Sequence, residues 1–98
     1  MAIKSFGGPG SADIAHGIVS RDARAALPLS LHSRALEKLI ILDAACQLGD
    51  LAAWPGLHLE KLKGDRSGQY SIRINRKYRI CFRWLSGNSM QVEIVDYH

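Results

Sequence analysis

Cysteine is scarce in this chain, and its placement excludes two common devices. Cys46 and Cys81 stand far apart and fit neither a CxxC nor a Cys-His ligand spacing, so no disulfide framework and no thiolate metal site is expected. Both read as buried thiols. Proline is as rare, at three residues, and no polar low-complexity tract is present, which argues for a folded chain at 47% hydrophobic content. No apolar run approaches the roughly 18 residues that a membrane span needs, and the opening residues lack a charged-then-apolar leader. A cytoplasmic address without membrane attachment is therefore expected. The 98 residues suit one domain, 1–98, with one modest core.

Acidic residues are nearly missing from one window. Between Lys61 and Arg83 lie eight cations (Lys61, Lys63, Arg66, Arg73, Arg76, Lys77, Arg79, Arg83) against one acid, Asp65. That window carries +7 and the remainder −3, so the positive field is local and favours a polyanion docking on one surface.

What is present orders itself along the chain. Residues 2–6 alternate apolar and polar before Gly7-Gly8-Pro9-Gly10, which predicts a short first strand and a turn. Ser11 or Asp13 can cap a helix running to about Arg24, and Pro28 closes it. From 30 to 48 the apolar residues Leu31, Ala35, Leu39, Leu42 and Cys46 recur on one helical face, with Gly49 as a stop. A second strip, Ile41, Ala44 and Leu48, lies off that face and predicts packing on two sides. Trp54-Pro55-Gly56 reads as a turn and 60–66 as a charged connector. Strands at 69–75, 78–85 and 90–97, joined at Arg76-Lys77 and at 86–89, form an antiparallel meander. The class is α+β: a short N-terminal strand, two helices, then three strands.

Alternation along the strands sorts their residues onto two faces. Tyr70, Ile72, Ile74, Tyr78, Ile80, Phe82, Trp84, Met90, Val92 and Ile94 form the core face. Gln69, Ser71, Arg73, Asn75, Arg79, Cys81, Arg83, Gln91, Glu93, Val95 and Tyr97 form a polar, cationic face expected to be open. Its composition is that of a phosphate-backbone binder, the alternative being solvated arginines, some paired with Glu93. Trp54 and Trp84 read as packing residues, and His16 and His32 as surface residues.

The block Leu62-Lys63-Gly64-Asp65-Arg66, Gly68, 70–75, Tyr78-Arg79-Ile80-Cys81-Phe82, Trp84 and 92–98, ending Asp96-Tyr97-His98, resembles the HigB toxins, or plasmid maintenance system killer proteins, of the RelE/ParE superfamily. The likeness reaches upstream through Ile3-Lys4-Ser5-Phe6, the helix at 39–51 and Pro55-Gly56, and is poor over 7–33. It implies helices on a small curved sheet. It also implies a toxin that cleaves messenger RNA on the ribosome and is silenced by a cognate helix-turn-helix antitoxin of the HigA kind. DNA would be met only indirectly, through the antitoxin complex.

The chemistry implied is metal-free and needs no cofactor: the ribose 2′-hydroxyl attacks the scissile phosphate, leaving a 2′,3′-cyclic phosphate and a 5′-hydroxyl. It needs a base, an acid and fixed positive charge on the phosphorane. By motif position Arg79 is the transition-state cation, because a guanidinium grips phosphate with two fixed donors. Lys63 is the second cation and a candidate proton carrier. Tyr97 is placed to stack on a base or protonate the leaving oxygen, and His98 to act as acid or base. Better-known members carry histidine three residues before the connector lysine; this chain has Glu60 there, a carboxylate suited to general base or to pairing with Lys63, while His58 stands two positions off. Lys61, Arg66, Arg73, Arg76, Lys77 and Arg83 are expected to position RNA. Two other readings accompany this one: a ParE-like toxin that binds DNA gyrase, and an inactive antitoxin-binding module.

Overall fold

The computed structural model describes residues 2–96, so what was expected of Tyr97 and His98 lies outside the described residues. Among the described residues, four α-helices and a four-stranded antiparallel sheet form, in place of the two helices and three-stranded meander expected. The segment expected as one helix from Ser11 to Arg24 divides into α1 (Ser11–Ala15) and α2 (Arg21–Ala26). Gly17 turns the chain at a φ of +71°, and Ser20 starts α2 by accepting from the Ala23 amide at 3.0 Å. The Ser20 hydroxyl in turn donates to Asp13 at 2.6 Å, tying the two helices together.

The long helix is α3 (His32–Ala44), entered through a 3-10 turn at Leu29–Leu31. Ala35, Leu39 and Leu42 are buried as the spacing predicts. The periodicity runs past the helix end because a new helix, α4 (Leu48–Ala52), starts at once. The Asp50 carboxylate accepts from the amides of Cys46 at 2.8 Å and Gln47 at 3.2 Å, drawing those N–H groups out of α3 and capping α4. Gly49 is therefore inside α4 and is not a stop. Those two backbone donors also hold the Asp50 carboxyl below the usual carboxylate range. His32 is more than a surface residue: its Nε2 lies 2.8 Å from the Leu27 carbonyl and 3.1 Å from that of Ala23, at the end of α2.

The sheet order is β1 (Glu60–Lys61), β2 (Tyr70–Arg73), β3 (Tyr78–Leu85), β4 (Asn88–Asp96). What read as a connector thus supplies an edge strand, with Glu60 opposite Ser71. Between β3 and β4, Ser86 and Gly87 both take positive φ, 51° and 79°, as the two-residue turn that matches strand twist demands. Among the described residues, the N-terminal segment makes no strand of its own. It lies parallel to β4 through isolated bridges, Ile3 with Ser89 and Phe6 with Val92. Between those bridges β4 bulges: Cys81 faces Glu93 but Arg83 faces Met90, and Gln91 sits at a φ of +53° with its amide on the Ser5 hydroxyl at 2.8 Å.

The bulge moves Met90 to the polar face, correcting the alternation, which has no means of registering an extra residue. The remaining core residues fall as expected. Ile72, Ile74, Ile80, Phe82, Val92 and Ile94 pack against Ile14, Ala23, Leu27, Ala35, Leu39, Leu42 and Leu51 from the four helices. Ser11 joins α1 to the sheet by accepting from the Ile94 amide at 3.0 Å. Trp84 packs edge-on against Phe82, whereas Trp54 is exposed, because the tight turn of Pro55–Leu57 carries it away from the core. Cys46, at the break after α3, is exposed as well.

The polar face is not open throughout. Ser71 and Cys81 at its centre are fully buried. The segment after β1, with its 3-10 turn Gly64–Arg66, folds over them: Leu62 is buried apart from the main core and Arg66 reaches Glu93 at 3.5 Å. Burial pushes the Cys81 thiol up, partly opposed by the Arg66 and Arg79 charges and reinforced by Glu93.

Candidate active site

Strand register aligns one rung of side chains across the polar face: Glu60, Ser71, Cys81, Glu93. Arg79 belongs to the next rung, opposite Arg73 on one side and Val95 on the other. Its side chain turns back onto the first rung. Nε donates to the Ser71 hydroxyl at 2.6 Å, Nη2 donates to the His58 carbonyl at 2.5 Å, and Nη2 stands 3.8 Å from the Glu60 carboxylate. Only 12% of the Arg79 side chain is exposed, against 52% for Glu60, so the guanidinium is fixed in the wall while the carboxylate is free to meet solvent or ligand.

The His58 carbonyl is available because of the Trp54-Pro55-Gly56 turn. His58 ends the 3-10 turn Pro55–Leu57 in the left-handed region at a φ of 47°, where a non-glycine residue stays only if its surroundings hold it. Its backbone binds Arg79, and its side chain lines a cleft of about 420 Å³ with Glu60, Arg73, Asn75, Arg76 and Arg79. Asn75 shapes the far end by accepting from the amides of Lys77 at 2.9 Å and Tyr78 at 2.8 Å, which folds the β2–β3 turn and presents Arg76. The cleft therefore joins a carboxylate, an imidazole and three guanidinium groups.

Of the residues singled out from sequence, Glu60, Arg73, Arg76 and Arg79 come together here. Glu60 pairs with Arg79, not with Lys63. Lys63 is exposed, does not line the cleft, and its side chain has no polar partner among the described residues. The others point elsewhere. Lys61 shares the face of Tyr70, opposite to Glu60, and Arg66 is engaged by Glu93 and by Gln69 at 3.1 Å. Lys77 lies 3.6 Å from Asp96 and over the Tyr78 ring, and Arg83 donates to Gln91 at 3.1 Å. Sequence reasoning passed over His58, Ser71 and Asn75 as site residues. Alternation had placed Ser71 and Asn75 on the correct face, and only the chain reversal at Pro55 brings His58 there.

This arrangement of helices on a short antiparallel sheet is shared by a toxin–antitoxin complex. The chain is similar over its whole length to a chain of the YoeB–YefM complex from Staphylococcus aureus, with a TM-score of 0.60, 18% identity and 99% of that chain covered. That likeness is one of fold. Sequence similarity narrows it. The family described as the RelE-like toxin of the type II toxin-antitoxin system HigB matches residues 18–98, and the chain belongs to this HigB-like toxin family. It is 43% identical over 72 residues to Toxin HigB-1 of Vibrio cholerae serotype O1, covering 74% of this chain and 75% of that protein. It is also 34% identical over 62 residues to Endoribonuclease HigB of Proteus vulgaris, covering 63% and 66% respectively.

Proposed function

We propose that this chain is an endoribonuclease toxin that cuts messenger RNA on the ribosome in the bacterial cytoplasm and is held silent by a cognate helix-turn-helix antitoxin. The observation that carries the reading is the fixed guanidinium of Arg79 at a cleft whose other charges include a solvent-accessible carboxylate. A phosphoryl transfer through a phosphorane needs donors already aimed where negative charge grows, and an arginine held by Ser71 and the His58 carbonyl has no reorganisation left to undergo. Membership of the HigB-like family and the likeness to an enzyme named as an endoribonuclease support the same reading.

In this mechanism Glu60 removes the proton from the 2′-hydroxyl, and the 2′-oxygen attacks the adjacent phosphorus. Arg79 holds the non-bridging oxygens as charge builds on them. The bond to the 5′-oxygen breaks, and the departing oxygen takes a proton from Lys63, Tyr97 or His98, the motif residues that carry one. The products are a 2′,3′-cyclic phosphate and a 5′-hydroxyl, and no water is consumed.

Inducible expression followed by primer-extension mapping of transcript 5′ ends tests this reading. New cuts inside translated messages are expected, and Arg79→Ala should abolish them while antitoxin binding persists. Growth arrest with no new 5′ ends would overturn it in favour of a toxin that works by binding alone.

A further inference from the structure

Four cations that have no acid against them among the described residues fall together. Arg34 and Lys38, one turn apart on α3, share a groove of about 580 Å³ with Arg73 and Arg76 of the sheet. No carboxylate among the described residues lines that groove. Among the described residues, the side chains of Arg34, Lys38 and Arg76 make no ion pair, and Arg73 donates only to the Asn75 carbonyl, at 3.1 Å. Arg66, Lys77 and Arg79, by contrast, each stand against a carboxylate. Four like charges brought together repel, so folding stability gives no reason to gather them, whereas a polyanion does.

The groove is continuous with the candidate active site, because both are lined by His58, Arg73, Asn75 and Arg76. We propose that Arg34 and Lys38 bind backbone phosphates of the substrate RNA beside the scissile one. The strand then leaves the Arg79 cleft across α3 and not along the Gly64–Arg66 turn. The proposal rests on the nuclease reading for the identity of the strand. Among the described residues, no Phe, Tyr or Trp lines the groove, so its described lining is one of charge and not of base stacking. It grips phosphate without reading sequence, and its contribution to affinity is the same for every sequence.

The test is fluorescence anisotropy with short 2′-O-methyl oligoribonucleotides of several sequences, which bind but cannot be cut. The paired change Arg34→Gln and Lys38→Gln should weaken binding about tenfold or more for all of them alike, and should reduce the slope of log affinity against log salt by about 1.4, or ~0.7 for each phosphate that is no longer neutralised. Circular dichroism melts establish that the variant is folded; glutamine at both helical positions keeps a good helix former there. Unchanged affinity and slope, or failure of the unsubstituted chain to bind any oligoribonucleotide at low salt, overturns the proposal. Retained oligonucleotide binding with lost cosedimentation on ribosomes also overturns it, and assigns the groove to ribosomal RNA. Because the probe is never cleaved, these outcomes are independent of whether Arg79→Ala abolishes cutting in cells.

Discussion

At the residue scale the chemistry turns on how Arg79 is held. Lysine keeps the charge at this position but has one head where arginine has separate, fixed donors for Ser71 and the His58 carbonyl. Arg79→Lys should therefore lower the cleavage rate by about a hundredfold or more, the range for losing one preorganised donor, with a much smaller effect on substrate affinity, measured as kcat against KM in a reconstituted translation assay. Equal loss in both would show that the charge alone matters. Alternation in the sequence already put Arg79 and Ser71 on one face. It gave no sign that Ser71 is buried, because the cover comes from a segment, 62–66, whose fold depends on long-range packing. The same cover predicts a difference between the two thiols. Cys46 is exposed, whereas Cys81 is buried and its thiol is pushed up. A thiol reagent should modify one cysteine per native chain quickly, Cys46, and reach Cys81 only on unfolding.

At the element scale the helices are set by short-range devices more than by their apolar periodicity. The amphipathic run from 30 onward was legible, but its division was not, since Asp50 acts on amides that a periodicity does not weigh. Asp50 is held below the usual carboxylate range, so its stabilising effect is complete above the unfolded value of about 3.9 and is lost as pH falls through the folded one. Asp50→Asn should destabilise the protein at neutral pH, and the gap between variant and parent should close on acidification, followed by urea unfolding at a series of pH values. A gap that stays constant would mean that charge has no part in the cap. The packing of α1 on α2 rests on another local choice, Gly10. A Cβ there would lie 2.3 Å from the Asp22 carbonyl oxygen and 2.7 Å from the Ala26 methyl. Gly10→Ala should cost about 1–3 kcal/mol in the same unfolding measurement, as overpacking of a closed interface does.

At the scale of the whole molecule, net charge and its placement make different predictions. The sequence located a basic window but missed Arg34 and Lys38, which lie outside it and line the groove beside the cleft because the fold brings α3 next to Arg73 and Arg76. Of the cations inside that window, Arg66 and Lys77 stand against Glu93 and Asp96 in the folded chain. If overall charge, +4, drew RNA to this protein, any exposed arginine would serve equally. Arg76→Glu and Arg21→Glu change the net charge identically, and both residues are exposed. Arg76 lines both clefts, whereas Arg21 opens α2, where a carboxylate suits the helix N-terminus. Focused by the groove, the reversal at Arg76 should weaken RNA binding by at least tenfold at low salt and lower its salt dependence, while the reversal at Arg21 should leave binding within about twofold. Parallel salt titrations of the two variants decide between them. Equal losses would mean that the field is diffuse, and that the clustering of cations at the cleft contributes nothing to the encounter.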